Sequence, residues 1–414
     1  MKINKLEIIQ HLAETKLSQL RAGALFMEMG TGKTKVALDL AKLKEFYFDK
    51  VLWIAPASLL RSKNYKNEIE KWNKLNKEMV FFSVESIGSS DRLFLNMFKL
   101  VKNNKIFCIV DESITIKNTD AKRVDRLLLM SQFMEFKLIL NGTPLSKGLI
   151  DLYSQIKFLS PKILNMTETQ FANHFLVYEK THFRGWRRWS KPFNEEALIK
   201  IIEPYIFKAD LNINVKIHFK TIYFKLSNLE QSNYTHFKEN FLKKCKELDF
   251  FAISTAFQRY YTYCSAKASG FKKLIMDINS RGEFALVFVK YINELEKLEF
   301  IFDSLELKYK ILSGNRKDEL DESSCIVSTY GTGSLGLNLQ YINNVIFFTP
   351  TFDYKDVLQG LARSYRTGQT KDVYVYHFYI NTGLDYLIKS SLKKKGRVLD
   401  NVKRLISKTE ALKL

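Results

Sequence analysis

The sequence predicts an α/β protein made of two parallel-sheet lobes in tandem, with a small helical insertion. Three observations predict it. Short apolar runs alternate with helical stretches over the first 160 residues. The alternation stops over 161–212, which reads as helices with a basic aromatic stretch, and resumes at 284. No 20–50-residue repeat and no low-complexity linker interrupts the chain. Apolar runs separated by helices belong to parallel strands covered on both faces.

The elements follow in order. The first strand is AGALFMEM (22–29), then a Gly-rich turn and the helical KVALDLAKLKEF. Next come VLWIAPA (51–57), the helical NYKNEIEKW, MVFFSV (79–84), a helix near 91–102, KIFCIVDE (105–112) and KLILNGTP (137–144). The alternating VKIHFKTIYFKL (215–226) reads as a strand and 227–270 as helical. The second lobe carries FALVFVK (284–290), YKILSG (309–314), CIVSTY (325–330), NVIFFTP (344–350), a helix near 355–365 and VYVYHF (373–378). The expected division is 1–226 for the first lobe and 227–414 for the second. Residues 384–414 read as an amphipathic helix carrying KKKGR, a solvated face before it is a nucleic-acid contact.

Composition narrows the function. Of 414 residues, 46% are apolar and 26% charged, an ordinary globular balance. Lys and Arg number 65 against 44 Asp and Glu, a formal charge of +21. Such a surplus favours a polyanionic partner, nucleic acid ahead of a membrane surface. The four cysteines (108, 245, 264, 325) form no CxxC pair, and the six histidines form no HxH or HExxH pattern, so neither a disulfide scaffold nor a zinc site is expected. The N-terminus is too polar for a signal peptide, and no apolar run approaches the ~18 residues that span a bilayer. A soluble, cytoplasmic protein is expected.

MGTGKT (29–34) follows the first strand and opens a helix, the context of a phosphate-binding loop. Small residues (Gly30, Thr31, Gly32) let backbone N–H groups wrap β- and γ-phosphates, and the helix N-terminus adds positive potential. Lys33 is the candidate for the β/γ-phosphates and Thr34 for Mg²⁺. The full GxxxxGK[ST] pattern would have glycine at 27, where this chain has Met27. About 80 residues on, IVDESITIKN (109–118) ends a strand with adjacent carboxylates. Asp111 suits the Mg²⁺ shell and Glu112 the attacking water.

GTGSLG (331–336) spells a dinucleotide fingerprint, but only eight residues separate Gly336 from the next strand, too few for the helix that fold requires. In QGLARSYRTGQ (359–369), Gln359, Arg363 and Arg366 fall at i, i+4 and i+7, so one helix face is expected to present an amide and two guanidiniums. Arginines from a lobe with no phosphate loop of its own suit the transition-state charge of phosphoryl transfer on its neighbour.

Together these segments resemble the Swi/Snf-type ATPases of helicase superfamily two, in compact form. MEMGTGKT looks like motif I, VLWIAPASLLRSKNYKNEIEKW like motif Ia with its helix, and DESITIKN like motif II. LNGTPLSKGLIDLYSQIKFLSP is similar to motif III with its extension, LSNLEQSNYTHF to the opening of the second half, STYGTGSLGLNL to motif V and QGLARSYRTGQ to motif VI. The resemblance implies two RecA-like lobes, ATP and Mg²⁺ as ligands, and translocation on double-stranded or branched DNA by a monomer, without processive strand separation. It implies that Gln10 reads adenine, that Gln359 joins the nucleotide site, that Gly142 and Thr143 sense the nucleotide, and that Pro56, Ser58, Thr329 and Gly333 touch the nucleic-acid backbone. Arg187 and Arg188, in the stretch His182–Phe193, read either as part of a stacking element at a DNA junction or as part of an aromatic cluster packing the insertion. Two departures stand out. Ile114 replaces the polar residue at the fourth position of motif II, and Gly314–Ser328 is short, suggesting a lost helix. The size suits a bacterial or phage enzyme. A strand-separating helicase and a non-catalytic nucleic-acid-binding scaffold remain as alternatives.

Overall fold

A computed structural model describes residues 5–142, 144–145, 148–180, 187–210, 215–244, 250–316, 318–333, 339–366 and 368–394. The chain divides into two compact units at 212/213, each with its own six-stranded sheet. The helical half of 384–414 is described only to 394, at the end of a helix over 383–394 in which Lys393 and Lys394 are exposed; the rest of KKKGR lies outside the described residues.

The first sheet contains β1 (Ala22–Met27), β2 (Lys50–Ala55), β3 (Glu78–Ser83), β4 (Ile106–Asp111) and β5 (Phe136–Leu140). An antiparallel hairpin follows, β6 (Leu176–Lys180) with β7 (Arg187–Pro192), and then β8 (Ile206–Ala209) completes the sheet. The order is β3-β2-β4-β5-β1-β8, parallel throughout. β1, β2 and β4 are apolar along almost their full length because helices cover both faces, and Trp53 in β2 is wholly buried.

The region 161–212 carries the helices the sequence suggests, Pro161–Leu164, Glu168–Phe175 and Glu195–Ile202, and adds strands that it does not announce. The last two helices flank the β6–β7 hairpin. The region's last strand, β8, pairs with β1 at the sheet edge. β6 and β7 are short and carry charged residues, and β8 has only four residues, so none sustains a period-2 or continuous apolar signature. Residues 181–186, including Trp186, lie outside the described residues.

The second sheet contains β9 (Ile217–Phe224), β10 (Ala285–Val289), β11 (Tyr309–Leu312), β12 (Cys325–Thr329), β13 (Asn344–Phe347) and β14 (Val373–Ile380), in the order β11-β12-β10-β13-β14-β9 and again all parallel. β9 is paired with β14 along all eight of its residues. It therefore belongs to the second unit, and the division falls ahead of it instead of at 226/227. A strand at a lobe boundary offers its pairing to either sheet, and sequence alone does not choose. Between Gly314 and Ser328 the described residues contain no helix.

In the second unit the helix Tyr354–Ser364 lies close against the sheet at Gly360. A Cβ there would meet the Phe288 ring at 2.8 Å and Phe347 at 3.1 Å. These rings cannot yield easily, because Phe288 stacks on both Phe347 and Tyr330 with centroids 5.4 and 5.5 Å apart. Alanine in a helix interior ordinarily gains about 1 kcal/mol over glycine, while overpacking a core costs about 1–3 kcal/mol. Gly360→Ala is therefore expected to destabilise the protein by about 1–2 kcal/mol in denaturant unfolding, reversing the sign that helix propensity alone would give.

Candidate nucleotide site

The strand order places β4, β5 and β1 side by side, so their C-terminal ends bring three loops together. Crevices at these ends are where open parallel sheets bind ligands. The loops are residues 28–32 after β1, 112–116 after β4 and 141–145 after β5.

The loop after β1 is shaped by glycines in the left-handed region: Gly30 has φ 85° and Gly32 φ 83°. Gly32 caps the helix Lys33–Leu43, whose first turn carries Lys33 and Thr34. The Thr31 hydroxyl and amide both donate to the Glu28 carbonyl, at 2.6 and 3.3 Å. The Lys33 ammonium donates to the carbonyls of Met27 (2.7 Å) and Glu28 (3.1 Å). Met27, standing where the full motif has glycine, is the last residue of a fully paired strand with φ in the ordinary range, so the shorter glycine set suffices to turn the loop.

Gln10, from the helix Lys5–Leu17, is buried against this loop, and its amide Nε2 donates to the Thr31 carbonyl at 3.3 Å. A Cβ on Gly32 would stand 2.3 Å from that nitrogen. Gln10 and the phosphate loop thus form one unit, twenty residues apart in sequence.

Asp111 ends β4 and is buried. Its Oδ1 accepts the Glu112 amide at 2.8 Å, and its Oδ2 accepts the Tyr65 hydroxyl at 2.5 Å. Tyr65, on the helix Lys63–Trp72, in turn accepts the Trp53 indole N–H at 2.9 Å. Burial, and next the charge of Glu112, raise the Asp111 carboxyl to about 6. Burial lowers the Lys33 ammonium pKa, while Glu112 and Asp111 oppose the shift. The three groups are therefore electrostatic neighbours. Glu112 itself has φ 52° and ψ 51°, a conformation non-glycine residues avoid.

Gly142 is the second residue after β5. A Cβ on it would lie 3.5 Å from the Met27 carbonyl and 3.7 Å from Met29, so this loop touches the phosphate loop. Thr143 lies outside the described residues. Asn141, Ser113 and Gln155 form a buried polar cluster behind the site.

Among the described residues no group of three or more His, Cys, Asp or Glu is placed to cage a metal. Mg²⁺ bound with a nucleotide is commonly held by one or two protein groups together with substrate phosphates and water. Thr34 and Asp111 are the donors available for it.

Other expected residues fall elsewhere. Pro56 and Ser58 stand after β2, around the short helix Ala57–Leu60. In the second unit, Thr329 ends β12 and Gly333 ends the turn Tyr330–Gly333. Arg187 and Arg188 belong to β7, and their side chains are outside the described residues. The expected face of Gln359, Arg363 and Arg366 is corrected. The helix stops at Ser364, so Arg366 lies beyond it. Gln359 and Arg363 are buried, Arg363 to 1% exposure, while Arg366 is half-buried. The helix ends early because Tyr365 leaves the helical region with ψ 86°.

Sequence patterning did not single out Tyr65, Trp53, Ser113 or Gln155 as site residues. Tyr65 and Trp53 lie within segments resembling motif Ia, but their partner, Asp111, is 46 residues past Tyr65.

Comparisons with known proteins now bear on the geometry. Residues 90–264 match the SNF2-related domain and residues 266–368 the helicase conserved C-terminal domain. The phosphate loop precedes both matches. Chromodomain-helicase-DNA-binding protein 1 of Homo sapiens is 24% identical over 91% of this chain and 25% of its own length. An uncharacterized ATP-dependent helicase of Mycoplasma genitalium is 24% identical over 95% of this chain and 42% of its own. The chain thus spans between a quarter and about two-fifths of these relatives. Among solved structures, the Sulfolobus solfataricus SWI2/SNF2 ATPase core in complex with dsDNA is 17% identical, with 94% of each chain covered and a TM-score of 0.39.

Gly32→Ala tests the site. It imposes about 1–2 kcal/mol of left-handed strain and drives a methyl into Gln10. A roughly tenfold or greater loss of ATP affinity is expected by titration with a fluorescent nucleotide. Adding Gln10→Ala removes the collision but not the strain, so only part of the loss is recovered.

Proposed function

The chain belongs to the SNF2 family of helicase-like ATPases, with two RecA-like lobes, and from that premise we propose that it hydrolyses ATP to translocate along double-stranded DNA. The observation that carries the proposal is the convergence at β4, β5 and β1 of a glycine-shaped loop, a lysine, and two adjacent carboxylates. Each has a task in phosphoryl transfer. Lys33 and the loop amides bind the β- and γ-phosphates. Thr34 and Asp111 would hold Mg²⁺, which would supply neutralisation of phosphate charge. Glu112 orients and deprotonates the attacking water. Gln10 fixes the loop and reads the adenine. Gln359, Arg363 and Arg366 are proposed to serve the same nucleotide from the second unit, the arginines meeting charge that develops in the transition state.

DNA is the partner best supported by the +21 charge. Contacts through Pro56, Ser58, Thr329 and Gly333, with Arg187 and Arg188, would fall mainly on phosphates, so binding is sequence-tolerant and weakens steeply with salt. Action as a monomer, on a duplex or a branched substrate, in a cytoplasmic setting, completes the proposal. Among the described residues no helix is long and apolar enough to cross a membrane.

Phosphate release measured side by side with duplex, single-stranded and forked DNA and with RNA tests the reading. Tail-free duplex should stimulate turnover and support triplex displacement. Unwinding of a tailed duplex with no response to tail-free duplex would assign strand separation instead, and no turnover with any nucleic acid would leave a binding scaffold. Glu112→Gln should retain ATP and abolish turnover. Arg366→Ala should lower kcat by about 10³-fold with ADP affinity unchanged, the scale of an arginine acting on the transition state.

A further inference from the structure

The helix Asp151–Leu159 lies behind the hydrolytic loop and is buried along nearly its whole length, including its polar residues. Two of its consecutive side chains grip the two ends of the turn Ser113–Ile116, which follows Glu112. At one end the Ser113 hydroxyl donates to Gln155 Oε1 at 2.7 Å. At the other the Ser154 hydroxyl donates to the Ile116 carbonyl at 2.5 Å. The turn is closed on Glu112 itself, whose carbonyl accepts the Thr115 amide at 2.9 Å and the Thr115 hydroxyl at 2.8 Å.

The opposite end of the Gln155 amide faces a different loop. Its Nε2 donates to the Pro144 carbonyl at 2.9 Å and to the Asp151 carbonyl at 2.6 Å. Asn141 Nδ2 reaches the Ser113 hydroxyl at 3.4 Å, and the Asn141 amide donates to Leu25 in β1. Asn141, Ser113, Ser154 and Gln155 all have 0% exposure. A single carboxamide therefore ties the turn carrying Glu112 to the loop beside the phosphate site. The side chains of Ile114 and Ile116 anchor the turn in the core and offer no hydrogen bond. The polar link that an apolar residue at 114 cannot make comes from Gln155.

Glu112 needs such a hold. Its left-handed backbone is an unfavourable state that persists only where the surroundings impose it. We infer that Gln155 is a positioning residue for Glu112, acting through Ser113, and that it keeps the 141–145 loop in register with the hydrolytic carboxylate. The inference rests on Glu112 orienting the attacking water.

The test compares steady-state ATP turnover of Gln155→Met, Ser113→Ala and Ser113→Thr with the wild type, all in the full chain, with Glu112→Gln as control. Gln155→Met keeps the length of the side chain but breaks both links; Ser113→Ala removes only the hydroxyl, so it reads the effect where the methionine variant fails to fold. For Gln155→Met and Ser113→Ala, kcat is expected to fall ~10- to ~100-fold, the scale of a small misplacement of a reacting group. KM for ATP and the Kd for ADP should stay within about twofold. Ser113→Thr, which keeps the hydroxyl, should restore kcat. The double variant Ser113→Ala/Gln155→Met should be no slower than Gln155→Met alone, because both changes break one linkage. An unchanged kcat in a folded variant, a loss confined to KM, or additive losses in the double variant would overturn the inference while Glu112→Gln still abolishes turnover. Full turnover by Glu112→Gln would overturn the assignment of Glu112 and the role of Gln155 with it.

Discussion

A lysine ammonium bonded to the carbonyls of its own loop, in the field of two adjacent carboxylates, is the constraint on which the site in the first unit depends. Burial lowers the Lys33 pKa and raises that of Asp111. The opposite charges of Lys33 and Asp111 counter both shifts, while Glu112 helps the lysine and hinders the aspartate. Such a trio is uneconomical as mere packing, since a hydrophobic cluster of similar volume is often as stable or more so. It makes sense as a place prepared for further charge: polyanionic phosphates near the lysine and a divalent cation near the carboxylates. The phosphate loop contributes to the same end, because Gly30 and Gly32 in the left-handed region turn the chain tightly at the start of a helix, where positive potential favours an anion.

The surroundings of the carboxylates are correspondingly rigid. On one side Trp53, Tyr65 and Asp111 form a chain of hydrogen bonds from the buried centre of β2 to the end of β4. On the other, Ser113, Gln155 and the loop after β5 form a second. Both chains run between elements distant in sequence, and both end on polar groups whose desolvation would be costly if unpaired. Polar groups this deeply buried specify a geometry more than they add stability. Placing a carboxylate to a fraction of an ångström is what hydrolysis of a bound nucleotide demands.

What the sequence revealed and what it hid divides along the same line. The strands around the site were legible because each is a continuous apolar run ending in a loop of distinctive chemistry, and Gly30, Gly32, Lys33, Asp111 and Glu112 lie where those loops begin. β6 and β7 lack that run and β8 is too short to sustain it, so nothing local marks the three as strands. β9 alternates clearly, but its partner β14 lies some 150 residues on, so its lobe could not be read locally. Gln359, Arg363 and Arg366 have helical spacing in sequence, yet the helix ends at Ser364 and Arg363 is buried. Tyr65 and Gln155 resisted detection for a different reason. A tyrosine in an amphipathic helix and a glutamine in a largely apolar helix have no local signature of their roles, which are defined by residues 46 and 42 positions away.

Position 114 connects these strands of reasoning. A polar residue two positions after the Asp-Glu pair would be an economical way to tie the hydrolytic turn to the next loop, and this chain places Ile114 there. The isoleucine is buried, so the position has been given to the core. The turn still carries a strained glutamate at its start, and strain of that kind relaxes unless something outside the turn opposes it. An amide with a donor at one end and an acceptor at the other meets the requirement without introducing charge into a region already holding three charged groups. Its place on a helix, instead of within either loop, means that both loops are referred to the same rigid body. A shift of one loop on nucleotide binding would then be felt by the other through two hydrogen bonds and no intervening solvent.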